Sequence, residues 1–247
     1  MKTILITGGT GLVATPQVRY FLSKGNRVVI TYRDDAKLAA AGFSGDLVAV
    51  RVPDLLLPGA LDRLMEELAR SECLPDCLIN NACDGRWHRT EPDGHVPEEY
   101  FVNHFRINVV VPYELSWRLA NRPGSRLKKI INVSSMYGVV PYNPQLYLHP
   151  ETETPPQYSV AKAALIHLTR ELAIRFRDKG IMVNAVSYGG VEGRVDDAFK
   201  RRFESFTPLR RMMKPEETIP AVDFLVNEES GYMTGQNIIV DGGRTVW

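Results

Sequence analysis

Tyr158 and Lys162 stand four residues apart in the stretch Pro156 to Leu172, where the spacing of Ala161, Ala164, Leu165, Leu168 and Leu172 predicts a helix. A phenol and an ammonium then leave one face about 6 Å apart along the axis. A fixed cation favours the phenolate, and bringing a free tyrosine from about 10 to about 7 takes roughly 4 kcal/mol of differential interaction. Tyr158 is therefore a candidate acid/base near neutral pH. A Tyr and a Lys at this spacing are also common on solvated helix faces, so the rest of the chain has to give the pair its meaning.

A second constellation lies at the N-terminus. Residues 2–7 form a β-branched apolar run, followed by Gly8-Gly9-Thr10-Gly11-Leu12-Val13-Ala14 and a helical pattern to about Lys24. Gly9-x-Gly11-x-x-Ala14 between strand and helix fits a dinucleotide fingerprint. Its early glycines allow a tight turn and close backbone approach, its small last residue lets helix pack on strand, and phosphate would sit at the helix N-terminus. The next strand, Arg27 to Tyr32, ends about 20 residues past the glycines, where an acid would hold the ribose 2′-hydroxyl of NAD. Tyr32 and Arg33 stand there instead. A guanidinium can take a 2′-phosphate through charge-assisted hydrogen bonds, so the expectation is NADP(H) in preference to NAD(H). The competing reading pairs Arg33 with Asp34 or Asp35 at the surface.

The elements that must position these groups alternate. Residues 47–52 read as a third strand, 55–70 as a helix, 77–80 as a fourth strand, 83–97 as a loop and 103–119 as a helix. Residues 127–134 and 181–186 read as the fifth and sixth strands, 216–227 as a helix and 237–240 as the last strand. Strand–helix alternation without a composition break predicts an α/β fold: one doubly wound parallel sheet of about seven strands with helices on both faces, in a single domain over 1–247. Ligands in such sheets bind beyond the carboxyl ends of the strands, which puts Ser135 and the glycine loop on the same edge.

Composition narrows the partners. Thirty basic against 29 acidic side chains give a net charge of +1, so no global field favours nucleic acid or a membrane surface, and no apolar run reaches the roughly 18 residues of a span. Cys73, Cys77 and Cys83 are sparse and odd in number, and Met1-Lys2 runs straight into the first strand, which favours a reducing cytoplasm. A metal held by these cysteines and His88 is the weaker reading, because Cys77 sits in the apolar approach to a strand.

With these pieces placed, the chain resembles the short-chain dehydrogenase/reductase family along essentially its whole length. Thr7-Gly8-x-x-Gly11, Asp54-Leu55, Asn80-Asn81-Ala82, Asn108, Ser134-Ser135, Tyr158-x-x-x-Lys162, Asn184, Thr234-Gly235-Gln236 and Asp241-Gly242-Gly243 occur in the family's order. The resemblance implies that Tyr158 exchanges the proton at the substrate oxygen and that Ser135 orients the same oxygen. It implies that Lys162 binds the nicotinamide ribose and lowers the Tyr158 pKa, and that Asn108 holds a water linking Lys162 to solvent. Gly8, Thr10, Gly11, Leu12, Arg33, Asp54, Leu55, Asn81, Ala82 and Val191 would contact the cofactor with Tyr158 and Lys162, and no metal is required. Ser135 is favoured over Ser134 because Met136-Tyr137-Gly138 follows it. A homodimer or homotetramer on helices near 99–120 and 157–178 is implied as well.

The match is to a chain of classical length with some features of the extended, nucleotide-sugar-modifying branch: Leu12 and Ala14 where glycines are usual, and a 23-residue separation of Ser135 from Tyr158. Tyr188-Gly189 replaces a Pro-Gly, Gly193 a threonine, and Cys83 a glycine. The insertion 139–156, with Tyr142, Asn143, Gln145, Tyr147 and His149, and the basic stretch 191–209, with Arg194, Lys200, Arg201 and Arg202 followed by Arg210 and Arg211, should frame the substrate. They suit a sugar-derived carbonyl or alcohol, phosphorylated or nucleotide-linked. Alternatives are a ketoreductase of acyl thioesters and a non-catalytic NADP(H)-binding regulator.

Overall fold

The computed structural model describes residues 1–227 and 230–247. Seven parallel strands form one sheet in the order β3-β2-β1-β4-β5-β6-β7: β1 (Thr3–Ile6), β2 (Arg27–Tyr32), β3 (Leu47–Arg51), β4 (Cys77–Asn80), β5 (Lys129–Ser135), β6 (Met182–Tyr188) and β7 (Asn237–Val240). The central strands β1, β4 and β5 are buried at every position, as a sheet covered by helices on both faces requires. One core cluster packs Leu5, Leu78, Ile130, Leu172 and Phe176 on one face, and a second packs Ile4, Ile6, Val28, Ile79 and Val186 on the other.

The helices are α1 (Ala14–Ser23), α2 (Asp35–Ala41), α3 (Ala60–Arg70), α4 (Glu98–Phe105), α5 (Val111–Asn121), α6 (Pro150–Glu153), α7 (Pro156–Arg175), α8 (Asp197–Ser205) and α9 (Ile219–Val226). α6 and α8 lie in the two stretches read from the sequence as framing the substrate, and other departures from the sequence expectation bear on the frame. α2 fills a stretch not expected to be helical, capped by the Asp34 carboxylate, which accepts from the Ala36 and Lys37 amides. α3 begins at Ala60 rather than 55, because Asp54 Oδ1 accepts from Leu56 N and Gly59 at φ 73° turns the chain before the helix can start. The helix expected at 103–119 starts earlier and is split by a π-helical turn, Arg106–Val110, joining α4 to α5.

Several sequence markers serve the frame. Asn80 Nδ2 donates to Asn132 Oδ1 (2.8 Å) and Asn132 Nδ2 to Thr169 Oγ1 (2.9 Å), a buried ladder that fixes β4, β5 and α7 to one another. Asn184 donates to Met233 O and accepts from Gln236 N, while Thr234 Oγ1 accepts from Val183 N, so the turn into β7 is tied to β6. Among the described residues, no helix is long and apolar enough to cross a membrane.

Candidate active site

The carboxyl ends of β4 and β5, helix α7 and the π turn converge on Tyr158. α7 starts with Pro156 at its first position, and its buried face carries Gln157, Ala161, Lys162, Leu165, Ile166, Thr169 and Leu172. Lys162 is buried; its Nζ lies 5.8 Å from the Tyr158 ring centroid and donates to Val133 O at 2.8 Å. The two serines at the end of β5 are distinguished by their hydrogen bonds. Ser134 Oγ donates to Lys162 O (3.0 Å), tying β5 to α7, whereas Ser135 Oγ accepts from Tyr137 N (3.2 Å) and faces the Tyr158 phenol closely enough to favour its ionised form.

That seating depends on Gly138. A Cβ there would stand 2.7 Å from the carbonyl carbon of Lys162 and 2.9 Å from Ala163 N and Lys162 O, so the turn Met136–Gly138 rests directly on the α7 backbone. A Ser-x-x-Gly pattern is what this contact demands.

Asn108 lies in the π turn and is buried. Its Nδ2 donates to His104 O (2.9 Å) and meets His104 Nδ1 (3.1 Å), leaving Oδ1 buried and unpartnered, the acceptor that a water-holding role requires. The π turn adds a residue to the helical turn, and regularity of the apolar pattern gives no hint of it.

Electrostatics correct one expectation. Lys162 was expected to depress the Tyr158 pKa; in the structure burial, with the nearby Cys83 thiol, pushes the phenol up, and Ser135 only partly opposes this. Burial also pulls the Lys162 pKa down, since the ammonium reaches a single carbonyl.

Sequence reasoning weighs His88 only as a metal ligand and does not single out His104. His88 stacks on the Tyr158 ring at 4.5 Å and 7°, and His104 meets both rings edge-on at 5.7 Å. The loop 83–97 that carries His88 is pinned by the buried Gln157, whose Nε2 donates to Trp87 O and Arg89 O.

At the other end of the edge, the glycine loop fits a dinucleotide. Gly8 takes φ 67°, a Cβ on Gly9 would stand 2.5 Å from Ile30, and α1 opens with no side-chain cap and no acid in its first turn; Thr15 N is bonded to Gly11 O and Pro16 has no N–H, so Ala14 N is the first-turn amide left to face a pyrophosphate. Thr10 and Gly11 lie in this loop, and Leu12 reaches toward Gly193, 3.4 Å from the point where a Cβ would be. Asn81 Nδ2 donates to the Thr7 and Gly8 carbonyls and the Asn81 and Ala82 amides to Thr7 Oγ1, which sets β4's exit against the loop. Val191 follows β6, held by an isolated bridge to Met213. Tyr188, where a proline is usual, is buried at the end of β6 and donates its hydroxyl to Thr218 O.

Arg33 pairs with neither Asp34 nor Asp35: its Nη1 binds Asp84 Oδ2 at 2.7 Å, while Asp34 caps α2 and Asp35 meets Arg51. Asp84, nearly inaccessible, also binds Arg86, which reaches on to Asp54 Oδ2 (2.6 Å). Burial raises the Asp84 pKa, but the hydrogen bonds from Arg86 and the two guanidinium charges outweigh it and hold the carboxyl below its usual range. Leu55 packs into the core beside Asp54.

The residues expected to frame the substrate fall into two groups. Tyr142 and Tyr147 face Tyr137 (ring centroid 4.0 Å from Tyr142; hydroxyls of Tyr137 and Tyr147 2.7 Å apart). Asn143 caps a local turn, and Gln145 and His149 are exposed. The basic stretch does not gather into a phosphate cradle: Lys200 binds Glu192, Arg202 donates to Leu146 O, Arg210 to Ser205 O, and Arg211 binds Glu217, while Arg194 and Arg201 are exposed.

A model of the family described as enoyl-(acyl carrier protein) reductase matches residues 13–245. The chain belongs to the short-chain dehydrogenase/reductase family. It is 31% identical to galactitol 2-dehydrogenase of Rhizobium johnstonii, over 98% of this chain and 95% of that protein. It superposes on 4-hydroxyisoleucine dehydrogenase complexed with NADH at a TM-score of 0.86 and 26% identity, covering both chains completely. On a short-chain dehydrogenase of Leptospira borgpetersenii with bound NAD+ the TM-score is 0.83 at 29% identity, covering 99% and 92%. The family is one of NAD(P)-dependent oxidoreductases, and this chain is a short-chain oxidoreductase.

Proposed function

We propose that this short-chain dehydrogenase/reductase interconverts a secondary alcohol and a carbonyl on a hydroxylated, sugar-derived small molecule, using NADP(H) in preference to NAD(H). The observation that carries the reaction is the convergence of Ser135, Tyr158, Lys162 and Asn108 at the carboxyl edge beside the glycine loop. Bound there, the cofactor supplies or accepts the hydride. Tyr158 exchanges the proton at the substrate oxygen, Ser135 donates a hydrogen bond to the same oxygen, and Lys162 holds the ribose and passes charge and proton toward Asn108. Gly8, Thr10, Gly11 and Leu12 bind the pyrophosphate, Asp54, Leu55, Asn81 and Ala82 the adenosine side, and Val191 the nicotinamide side.

NADP(H) is favoured because both acids following β2 are engaged elsewhere, Asp34 as a cap and Asp35 with Arg51, while Arg33, held by Asp84 through Nη1, stays half-exposed at the end of β2 where its other guanidinium nitrogens would meet the 2′ position. The NADH- and NAD+-bound relatives favour the other cofactor, so affinities for both with wild type and Arg33→Ala decide. A ratio that Arg33→Ala leaves unmoved refutes the NADP(H) assignment. The sugar reading is supported by the galactitol-oxidising relative and the hydroxyl-bearing Tyr137, Tyr142 and Tyr147, and apolar ketones outperforming every polyol and sugar derivative would refute it.

The chain works as one nucleotide-binding domain in the cytoplasm and assembles as a homodimer or homotetramer. The exposed Val102, Trp117, Val160 and Ile174 on α4, α5 and α7 support assembly, and a monomer by light scattering refutes it.

A further inference from the structure

Arg244 is a cation that the chemistry above does not use. It opens the short turn Arg244–Val246 after Gly243, which takes φ 86°. The residue is 7% exposed, and its Nε is buried with no hydrogen-bond partner. Among the described residues no carboxylate pairs with its guanidinium. Asp241, its nearest acid along the chain, is committed to the backbone: Oδ1 accepts from Gly243 N (2.9 Å) and Oδ2 from Thr245 N (2.6 Å). A buried guanidinium without a counter-charge is destabilising, and such a group fits a fold in which a ligand supplies the missing anion.

The sheet register says where that anion would lie. Ser135 pairs with Tyr188, and Tyr188 with Val240, so the Asp241–Arg244 turn runs past the same carboxyl edge as the reacting serine, two strands away. A Cβ on Gly243 would stand 2.8 Å from Pro208, so the turn rests against the segment that follows α8. Phe203 of α8 in turn packs with Met136, next to Ser135, and with Tyr137 and Tyr147 beside them. The Arg244 charge acts on the Tyr137 phenol, opposing the upward push of burial. A cation and two phenols thus face the region between Ser135 and α8.

We propose that Arg244 anchors a carboxylate of the substrate, with the Tyr137 and Tyr147 hydroxyls beside it, so that the substrate is a hydroxy or oxo acid of the sugar-acid kind rather than a neutral polyol. The proposal rests on the dehydrogenase reading for the reacting end and specifies the other end of the same molecule. One unpaired guanidinium balances one negative charge and presents a planar fork that matches a carboxylate. A phosphate dianion calls for further cations, and Lys200, Arg202 and Arg211 are engaged elsewhere.

Wild type, Arg244→Met and Arg244→Lys are compared with gluconate against glucitol as matched acid and neutral substrates, glucose 6-phosphate as the phosphate arm, and malonate as a non-reacting carboxylate. Malonate is expected to raise the melting temperature of the wild type and to compete with substrate. Arg244→Met should abolish the thermal shift, raise the malonate inhibition constant at least tenfold, and lower the gluconate-to-glucitol ratio of kcat/KM at least tenfold, mainly through KM. Arg244→Lys should keep part of each. Should Arg244→Met fail to fold, Arg244→Gln against Arg244→Lys makes the same comparison. Malonate that leaves the wild type unshifted, equal malonate binding by wild type and Arg244→Met, or a wild-type preference for glucitol or glucose 6-phosphate overturns the anchor. A wild type inert with every alcohol and carbonyl overturns the dehydrogenase reading, and the malonate arm still decides the anchor.

Discussion

Gly138→Ala tests whether the seating of the Met136–Gly138 turn on α7 positions Ser135. The added methyl would stand 2.7 Å from the Lys162 carbonyl carbon and 2.9 Å from two further backbone atoms. Carbon atoms in unstrained contact stand about 3.5–4.0 Å apart, so turn and helix must separate by roughly 1 Å. Neither side yields by a rotamer change, since the obstructing atoms are main chain between Tyr158 and the helix interior. Overpacking of this kind costs about 1–3 kcal/mol, which for a chain of this size lowers Tm by roughly 2–12 °C. Displacing Ser135 from Tyr158 by the same distance should lower kcat on the order of 100-fold. Cofactor affinity should change far less than kcat, because the glycine loop leaves β1, two strands from β5, and only the ribose contact of Lys162 adjoins the displaced turn. Steady-state kinetics, cofactor titration and a melting curve make the comparison. Gly85→Ala, whose Cβ would meet nothing within 4 Å, controls for a glycine replacement that should not shift Tm. A Gly138→Ala protein with kcat within twofold of wild type refutes the argument that this contact sets the geometry.

Tyr158→Phe should reduce kcat by about 10²–10⁴ while the cofactor Kd stays within a few-fold, and turnover near the wild-type rate would remove Tyr158 from the proton path. Cys83 is exposed and lies close enough to influence Tyr158 and Lys162, whereas Cys73 and Cys77 are buried. N-ethylmaleimide should therefore label Cys83 first and inactivate the enzyme, with bound cofactor slowing the loss; full activity after stoichiometric labelling of Cys83 would place it away from the site. Burial, reinforced by the His88 and Lys162 charges, holds the His104 pKa down to about 3, so the unfolded chain takes up the proton first as pH falls below about 6.5. The stability His104 contributes is complete above that pH and declines toward the folded value, by roughly 2–3 kcal/mol between pH 6.5 and 4.5. Urea unfolding of wild type and His104→Gln at the two pH values checks it, and an equal acid loss in both proteins would contradict the assignment.

β2, β4 and β7 run over the same residues that the apolar pattern alone suggests, because each is a short branched run bounded by turn formers. The helix at Tyr158 is equally legible, since Ala161, Leu165 and Leu172 sit on its buried face. The split between α4 and α5 is not, because a π turn leaves the hydrophobic spacing on either side intact while moving Asn108 inward. Polar partners across the chain are the least legible. Arg33 meets Asp84, 51 residues away, in place of the acids beside it, and Arg86 reaches back 32 residues to Asp54. Those pairings follow from loop paths that local propensity does not encode.

The sequence by itself determined the order of elements, the glycine turn and the helical spacing of Tyr158 and Lys162, because periodicity and backbone permissiveness act over a few residues. Only the tertiary structure decided that Lys162 turns to Val133, that His88 covers the Tyr158 ring, and that the Arg244 guanidinium is buried without a carboxylate. Each of those depends on which distant surfaces the sheet register brings together and on how much water remains between them.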